Sequence, residues 1–364
     1  MINPEFMHRA LQLAERGLYT TTPNPRVGCV IVSPEGKVIG EGFTQPAGQN
    51  HAEIQALEDA ARRGHSVEGA TVYVTLEPCA HYGRTPPCCD ALIRARVGHV
   101  VSAMQDPNPL VAGQGLARIA AEGIHVTPNV LADEALALNR GFVKRMTLGT
   151  PLLRLKIAAS LDGRTAMANG ESQWITGDAA RADGHHWRAR SCAVLTGIGT
   201  VLADDPQLNV RAVQTPRQPA RIVVDSQLRT PSTAAILRDG NTLIVTCIAD
   251  PGRHAELLAK GAEILALPAR DGHVAPDALM EALGQRGYNE VLVEAGSRLN
   301  GALLAAGCVD ELLLYLAPKV LGSDARGMLD LPGLERLADA SQWVFDDFRK
   351  VGDDLRVLAH LSKA

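Results

Sequence analysis

Across its 364 residues the sequence has no uninterrupted apolar run of about 18 residues, which a membrane-spanning helix requires. Residues 1–17 carry Glu5, His8, Arg9 and Glu15 where a secretory signal needs an apolar core, so the expected location is the cytoplasm, with no membrane partner. Runs of like charge are also missing. The net charge of −4 is spread along the chain, which argues against nucleic acid or an anionic membrane surface as partner. The seven cysteines, Cys29, Cys79, Cys88, Cys89, Cys192, Cys247 and Cys308, are odd in number and scattered. That pattern argues against a disulfide framework in a chain this long and leaves the thiols free or metal-bound. There is no internal repeat and no G-x-G-x-x-G between a strand and a helix, so a Rossmann dinucleotide site is unsupported.

What is present is ordinary globular material, 46% hydrophobic and 21% charged, in a length that suggests two domains. The first half alternates short apolar runs with helical periodicity, the mark of an α/β layer architecture. The pattern predicts helices over 5–18, 51–63, 88–96, 115–122 and 131–146, with strands over 27–32, 38–42, 71–76 and 99–104. The segment 147–151 interrupts the last helical pattern before a new apolar strand, which places a domain boundary there, with domains at 1–147 and 150–364. The second half predicts strands over 152–158, 193–196, 221–225, 242–246, 290–294 and 311–316, and helices near 178–190, 276–285 and 297–306. The loop at 215–219 reads as a simple surface connection.

One constellation carries chemistry. His51-Ala52-Glu53 opens a helix, Pro78-Cys79 ends a strand, and Cys88 starts the next helix. One imidazole and two thiolates are a donor set suited to Zn²⁺ rather than Mg²⁺ or Ca²⁺, and a catalytic zinc takes three protein ligands and keeps one position open. A helix N-terminus favours the thiolate of Cys88. Glu53, two residues from His51, is placed to shuttle protons, taking one from water and giving one to a departing amine. A structural zinc site would need a fourth ligand, for which Cys89 and His81 are candidates. Cys89 points elsewhere as the neighbour of Cys88, however, and His81 reads as a pocket or surface residue. The arrangement is similar to the H-x-E and P-C signature of zinc nucleobase deaminases, with C-x8-C in place of the shorter cysteine spacing.

Longer motifs extend the likeness. TPNPRVG at 22–28, NHAE at 50–53, TLEPCAHYGRTPPC at 75–88, KIAASLDGR at 156–164, ESQWIT at 171–176, VLADDP at 201–206 and VEAG at 293–296 resemble the bifunctional deaminase-reductase family of riboflavin biosynthesis, from about residue 7 to about 355. The resemblance implies a cytidine-deaminase-like α/β/α sandwich followed by a dihydrofolate-reductase-like α/β domain. It implies zinc-dependent deamination of a diaminopyrimidinone ribosylamine 5′-phosphate, then NADPH-dependent reduction of the ribosyl group to ribityl. Zn²⁺ and NADPH are the implied cofactors, a small phosphorylated pyrimidine the implied partner, and a homo-oligomer the implied assembly. The rival reading is a zinc deaminase acting on nucleic acid, with an accessory, non-catalytic nucleotide-binding domain; the slightly acidic charge argues against it.

The same resemblance places Ala158, Trp174, Thr200, Asp204, Ser226, Gly296, Ser297, Arg298, Leu299, Asn300, Gly301 and Ala302 at cofactor-contacting positions, and Ser172, Arg188, Leu208, Arg211 and Glu294 at substrate positions. A strand running into a helix at 294–302 suits a pyrophosphate, because its free N–H groups and dipole favour an anion. Arginine suits a phosphate because its planar fork donates two parallel bonds. Lys156 or Glu294 would assist proton movement in the reduction. Three residues keep two readings each: Asn24 as substrate contact or turn residue, Arg84 as phosphate contact or solvated cation, Trp174 as nicotinamide stack or packing. His185 and His186 read as surface or core residues. Where Thr44 stands the family commonly has histidine, which implies a lost or replaced substrate contact.

Overall fold

The structure, a computed structural model, describes residues 2–81, 86–109 and 111–362. The chain forms two compact units, Met1–Gly149 and Thr150–Ala364.

The first unit runs α1 (Pro4–Glu15), β1 (Gly28–Val32), β2 (Val38–Phe43), α2 (Ala52–Arg62), β3 (Thr71–Val74), α3 (Cys88–Arg94), β4 (His99–Ser102), α4 (Gln114–Ala121), β5 (His125–Thr127) and α5 (Ala132–Leu148). Its sheet has the order β2-β1-β3-β4-β5. β1 is antiparallel to both β2 and β3, whereas β3, β4 and β5 are parallel. Alternating side chains supply two cores, as the period-two geometry of a strand requires. Cys29, Ile31, Val72 and Val74 pack with Ala52, Ala56, Leu92 and Leu116 on one side. Val30, Val32, Tyr73 and Val101 pack with Met7, Ala10, Leu11 and Ala135 on the other. The result is an α/β/α sandwich. Helix α5 extends beyond its predicted end through Leu148, where Gly149 at φ 75° stops it in the left-handed conformation that favours glycine. β5, three residues long and only partly buried, left no readable alternation.

The second unit runs β6 (Leu152–Ser160), β7 (Arg164–Ala166), α6 (Asp178–Arg190), β8 (Ala193–Gly197), α7 (Ile198–Asp204), β9 (Ala220–Val224), β10 (Thr242–Thr246), α8 (Pro251–Ala259), β11 (Ala262–Ala266), β12 (Ala269–Arg270), β13 (His273–Val274), α9 (Pro276–Gln285), β14 (Glu290–Val293), α10 (Ser297–Ala305), β15 (Glu311–Ala317), β16 (Arg326–Gly327), β17 (Trp343–Val351) and β18 (Asp354–Leu361). Nine strands form one sheet in the order β11-β10-β9-β8-β14-β6-β15-β18-β17, and β7/β16 and β12/β13 form small ribbons. The strands from β11 to β15 are parallel; β18 and β17 continue the sheet antiparallel. Buried on both faces, the parallel strands read as near-continuous apolar runs. Leu279 of α9 and Leu303 of α10 cover one face. Trp187 of α6, Val201 of α7 and Leu257 of α8 cover the other. The segment 215–219 is more than a surface connection. Arg217 donates to the carbonyls of Ala189 and Ser191, and Gln218 pairs with both main-chain polar groups of Val210, so the segment braces the loop that carries Leu208 and Arg211.

Candidate active sites

In the first unit the site is made by pressing α2 onto β2. A Cβ on Gly42 would lie 2.4 Å from the Ala52 carbonyl oxygen, and one on Gly40 would lie 2.3 Å from that of Ala56, so glycine permits the approach. The approach places His51, the N-cap of α2, beside the end of β3. His51 makes no capping bond with its side chain. Its Nδ1 lies instead 3.7 Å from Cys79 Sγ and 3.4 Å from Cys88 Sγ. All three donor atoms lie within 4.8 Å of one another. Zinc–nitrogen and zinc–sulfur bonds of ordinary length at a tetrahedral angle put N and S about 3.5 Å apart, so the donor set fits that ion.

The electrostatics put the thiolate on Cys79 and not on Cys88, where the helix N-terminus suggested it, because burial and the neighbouring charges outweigh the helix end. A hydrogen bond from Cys88, opposed by burial and helped by His51, holds the Cys79 thiol down to about 4. Cys88, donating to Cys79 and buried next to Glu53, is pushed well above the ordinary thiol range. Cys79 is thus the thiol disposed to ionise, and a cation held by the three residues would draw the proton from Cys88. The Cys88 N–H also donates to Cys79 Sγ at 3.3 Å. Glu53 is 3% exposed, and burial with the nearby Cys79 charge raises its carboxyl to about 7. A carboxyl poised there can accept and return a proton near neutral pH. Cys89 is buried and donates to Asp90, outside the three-residue group, and His81 is exposed and also outside it.

Glu77, which sequence reasoning passed over, anchors this site. Its buried carboxylate accepts four main-chain N–H groups, from Asp106 and Gly113 on Oε2 and from Gly115 and Leu116 on Oε1, at 2.8–3.2 Å. Gly115 in turn sits so close to Pro78 that a Cβ would lie 1.9 Å from its carbonyl oxygen. The signal was a carboxylate between an apolar strand and the ligand-bearing Pro-Cys pair. Asn24 is half-buried, two residues before Arg26, whose main chain pairs with both ends of the Asn139 amide. Thr44 is buried and its N–H bonds the Val27 carbonyl. Arg84 lies outside the described residues.

In the second unit a cavity of about 1790 Å³ opens where the parallel strands end, the usual place for a ligand in such sheets. It exceeds an ordinary small-molecule site and has room for a dinucleotide and a second ligand. Ala158, Trp174, Thr200, Asp204, Ser226, Gly296, Ser297, Arg298, Leu299 and Ala302 line it, as do Lys156, Ser172, Arg188, Leu208, Arg211 and Glu294. Two expected cofactor positions, Asn300 and Gly301, do not. Asn300 is 1% exposed and its amide donates to the Ala295 and Met328 carbonyls, while Gly301 packs against the Asp330 main chain; both faces of α10 cannot meet one ligand. Gly296, the N-cap of α10, has open space where a Cβ would be, and no side chain caps the helix, which leaves a cradle for an anion.

The polar centre of this cavity is Glu294. Arg188 grips it through Nε to Oε1 (2.5 Å) and Nη2 to Oε2 (3.0 Å), and Lys156 Nζ lies 3.4 Å from Oε2. Burial alone would raise this carboxyl, but the two cations hold it well below the usual carboxylate range. Trp174, 63% exposed, stacks under the Arg181 guanidinium at 4.5 Å, and its carbonyl accepts from Lys319. His185 also lines the cavity, contrary to its reading as surface or core. The available signal was its position three residues before Arg188 on one helical face.

A mixed α/β/α sandwich holding an H-x-E and two-cysteine site, joined to a largely parallel reductase-like sheet with a large anion-suited cavity, defines a two-site enzyme class. The comparisons agree. The family described as "Cytidine and deoxycytidylate deaminase zinc-binding region" matches residues 2–104, and that described as "RibD C-terminal domain" matches residues 151–357. The chain is 52% identical to riboflavin biosynthesis protein RibD of Escherichia coli (strain K12), covering 96% of this chain and 97% of that protein. Its identity to RibD of Haemophilus influenzae is 48%, covering 97% and 95%. Among solved structures it is similar to Acinetobacter baumannii RibD (44% identity, TM-score 0.89, 99% and 98% covered). It is also similar to a Thermotoga maritima diaminohydroxyphosphoribosylaminopyrimidine deaminase/5-amino-6-(5-phosphoribosylamino)uracil reductase (32%, TM-score 0.87, 99% and 98%). The chain belongs to the RibD family of bifunctional deaminase-reductases of riboflavin biosynthesis. A cytidine-deaminase-like domain and a dihydrofolate-reductase-like domain are its fold, and hydrolase and oxidoreductase its two activities. The nucleic-acid-editing alternative is not favoured. Among the described residues no helix is long and apolar enough to cross a membrane.

Proposed function

We propose that residues 1–147 deaminate a diaminopyrimidinone carrying a ribosylamine 5′-phosphate, and that residues 150–364 then reduce the ribosyl group of the product with NADPH. The observation that carries the first reading is the imidazole and two thiols, with Glu53 buried beside them. His51, Cys79 and Cys88 would hold zinc, which supplies Lewis acidity and makes water a usable nucleophile near neutral pH. Glu53 takes the water proton on its carboxylate and returns it to the departing amine, which leaves as ammonia. Asn24 contacts the pyrimidine edge or ribose and Arg84 the phosphate, as the family resemblance implies.

For the reduction, Gly296, Ser297, Arg298, Leu299 and Ala302 would hold the pyrophosphate of NADPH, with Ala158, Trp174, Thr200, Asp204 and Ser226 holding the rest, and the cofactor would supply the hydride that the imine carbon takes up. Substrate lies toward Ser172, Arg188, Leu208 and Arg211. Glu294, held ionised by its two cations, is a poor proton donor, so proton delivery to the ring-opened imine nitrogen falls to the Lys156 ammonium. Glu294 keeps Lys156 and Arg188 in place. We also propose a homo-oligomer: β17 is an edge strand exposing Phe345 and Phe348, and such an edge favours pairing.

The experiment is a two-step assay of purified protein with and without a zinc chelator. The expected result is ammonia release abolished by chelation, and NADPH oxidation that requires the deaminated product and survives chelation. Ammonia without NADPH oxidation would leave only the deaminase assignment standing.

A further inference from the structure

His185 and Arg188 occupy one face of α6, and both line the cavity of the second unit. The imidazole is held in one orientation, because its Nδ1 accepts the main-chain N–H of Arg211 at 3.2 Å. An accepting Nδ1 cannot carry the proton of a neutral ring, so that proton is on Nε2. Nε2 has no hydrogen-bond partner among the described residues. Burial, followed by the Arg188 and Arg211 charges, brings the imidazole down to about 4; Glu294 opposes this, and Lys156 adds less than Glu294 removes. Of the charges that act most strongly on the ring three are cations and one is a carboxylate, which makes this wall of the cavity electropositive. A neutral imidazole there is a fixed N–H donor that adds no further charge repulsion among the arginines.

We propose that the Nε2–H of His185 donates to a phosphate oxygen of the phosphorylated pyrimidine in the reductase cavity, completing an anion site with Arg188 and Arg211. The proposal rests on the reductase reading above and adds a substrate-binding residue to it.

Two variants separate this contact from a purely structural role. In His185→Asn the side-chain carbonyl oxygen takes the place of Nδ1, so it can keep the Arg211 bond, but nothing reaches the Nε2 position. In His185→Gln the amide nitrogen takes the Nε2 place and the loop bond is lost. If the inference holds, H185N raises KM for 5-amino-6-(5-phosphoribosylamino)uracil about tenfold, with kcat within a few-fold, whereas H185Q stays within about threefold of the parent KM. Calorimetric binding of inorganic phosphate should weaken in H185N by a similar factor, and thermal melting serves as the folding control. The reverse ordering, with H185N like the parent and H185Q impaired, would show a loop anchor and overturn the proposal, as would phosphate binding indifferent to H185N. A parent protein that oxidises no NADPH would fail the reductase reading instead, and the phosphate titration would still decide the role of His185.

Discussion

At the scale of single residues the two sites use buried carboxylates in opposite ways. Glu294 is neutralised by two cations, whereas Glu53 is buried with a thiolate for company and rises to about 7. A carboxyl whose folded value lies above its unfolded one binds protons better when folded. Its stability cost is absent below the unfolded value near 4.5 and develops as pH rises toward 7. In protein stripped of metal, Glu53→Gln should therefore stabilise the first unit by about 3 kcal/mol at pH 8 and by little at pH 4. In metal-loaded protein the same change should cut ammonia release by two orders of magnitude or more. Urea unfolding at both pH values and an ammonia assay check the pair. Glu77 acts through the main chain. Glu77→Gln replaces one acceptor oxygen by a donor facing two N–H groups, and should speed zinc loss to a competing chelator about tenfold or more while NADPH oxidation with deaminated substrate is kept. A chelator time course alongside the NADPH assay reads it; unchanged zinc retention would remove Glu77 from the site. His51, Glu53, Cys79 and Cys88 could be read from the chain because each carries its chemistry in its side chain at short spacing. Glu77 could not, since its partners lie 29 to 39 residues away.

At the scale of elements, close packing of helix on strand sets ligand geometry. Gly42→Ala would push a methyl group into the Ala52 carbonyl and lift the N-terminus of α2 with His51 and Glu53. The expected outcome is destabilisation by about 1–3 kcal/mol and weaker zinc retention, measured by melting and metal analysis; a parental melt would refute the packing argument. The long periodic helices and apolar parallel strands were legible because burial imposes a clear period or a continuous run. Elements such as β5 and α7 were not, being too short or too exposed to show one. The segment 215–219 was misjudged for a related reason: its bonds to Ala189, Ser191 and Val210 leave no local pattern.

For the molecule as a whole, each unit has its own core and its own site. The nine-stranded sheet ends in β17, whose Phe345 and Phe348 are 70% and 73% exposed in the single chain. If that edge pairs copies of the chain, Phe348→Glu should lower the assembly state in sedimentation velocity, with both activities of the dissociated protein telling whether assembly matters to either site. An unchanged sedimentation coefficient would place the interface elsewhere.

The sequence by itself determined the imidazole and two thiols that the structure brings together, the carboxyl buried beside them, the alternation of helices and strands, and the family, since these reside in residue types at fixed spacing. Only the tertiary structure decided that Asn300 and Gly301 turn away from the cavity, that Glu77 ties four distant N–H groups to the Cys79 loop, and that His185 lines the cavity with its Nδ1 accepting from the Arg211 N–H. Each of those depends on which face of a helix meets which strand end, and on bonds between groups far apart in the chain. Periodicity can state that a face is buried, but not against what.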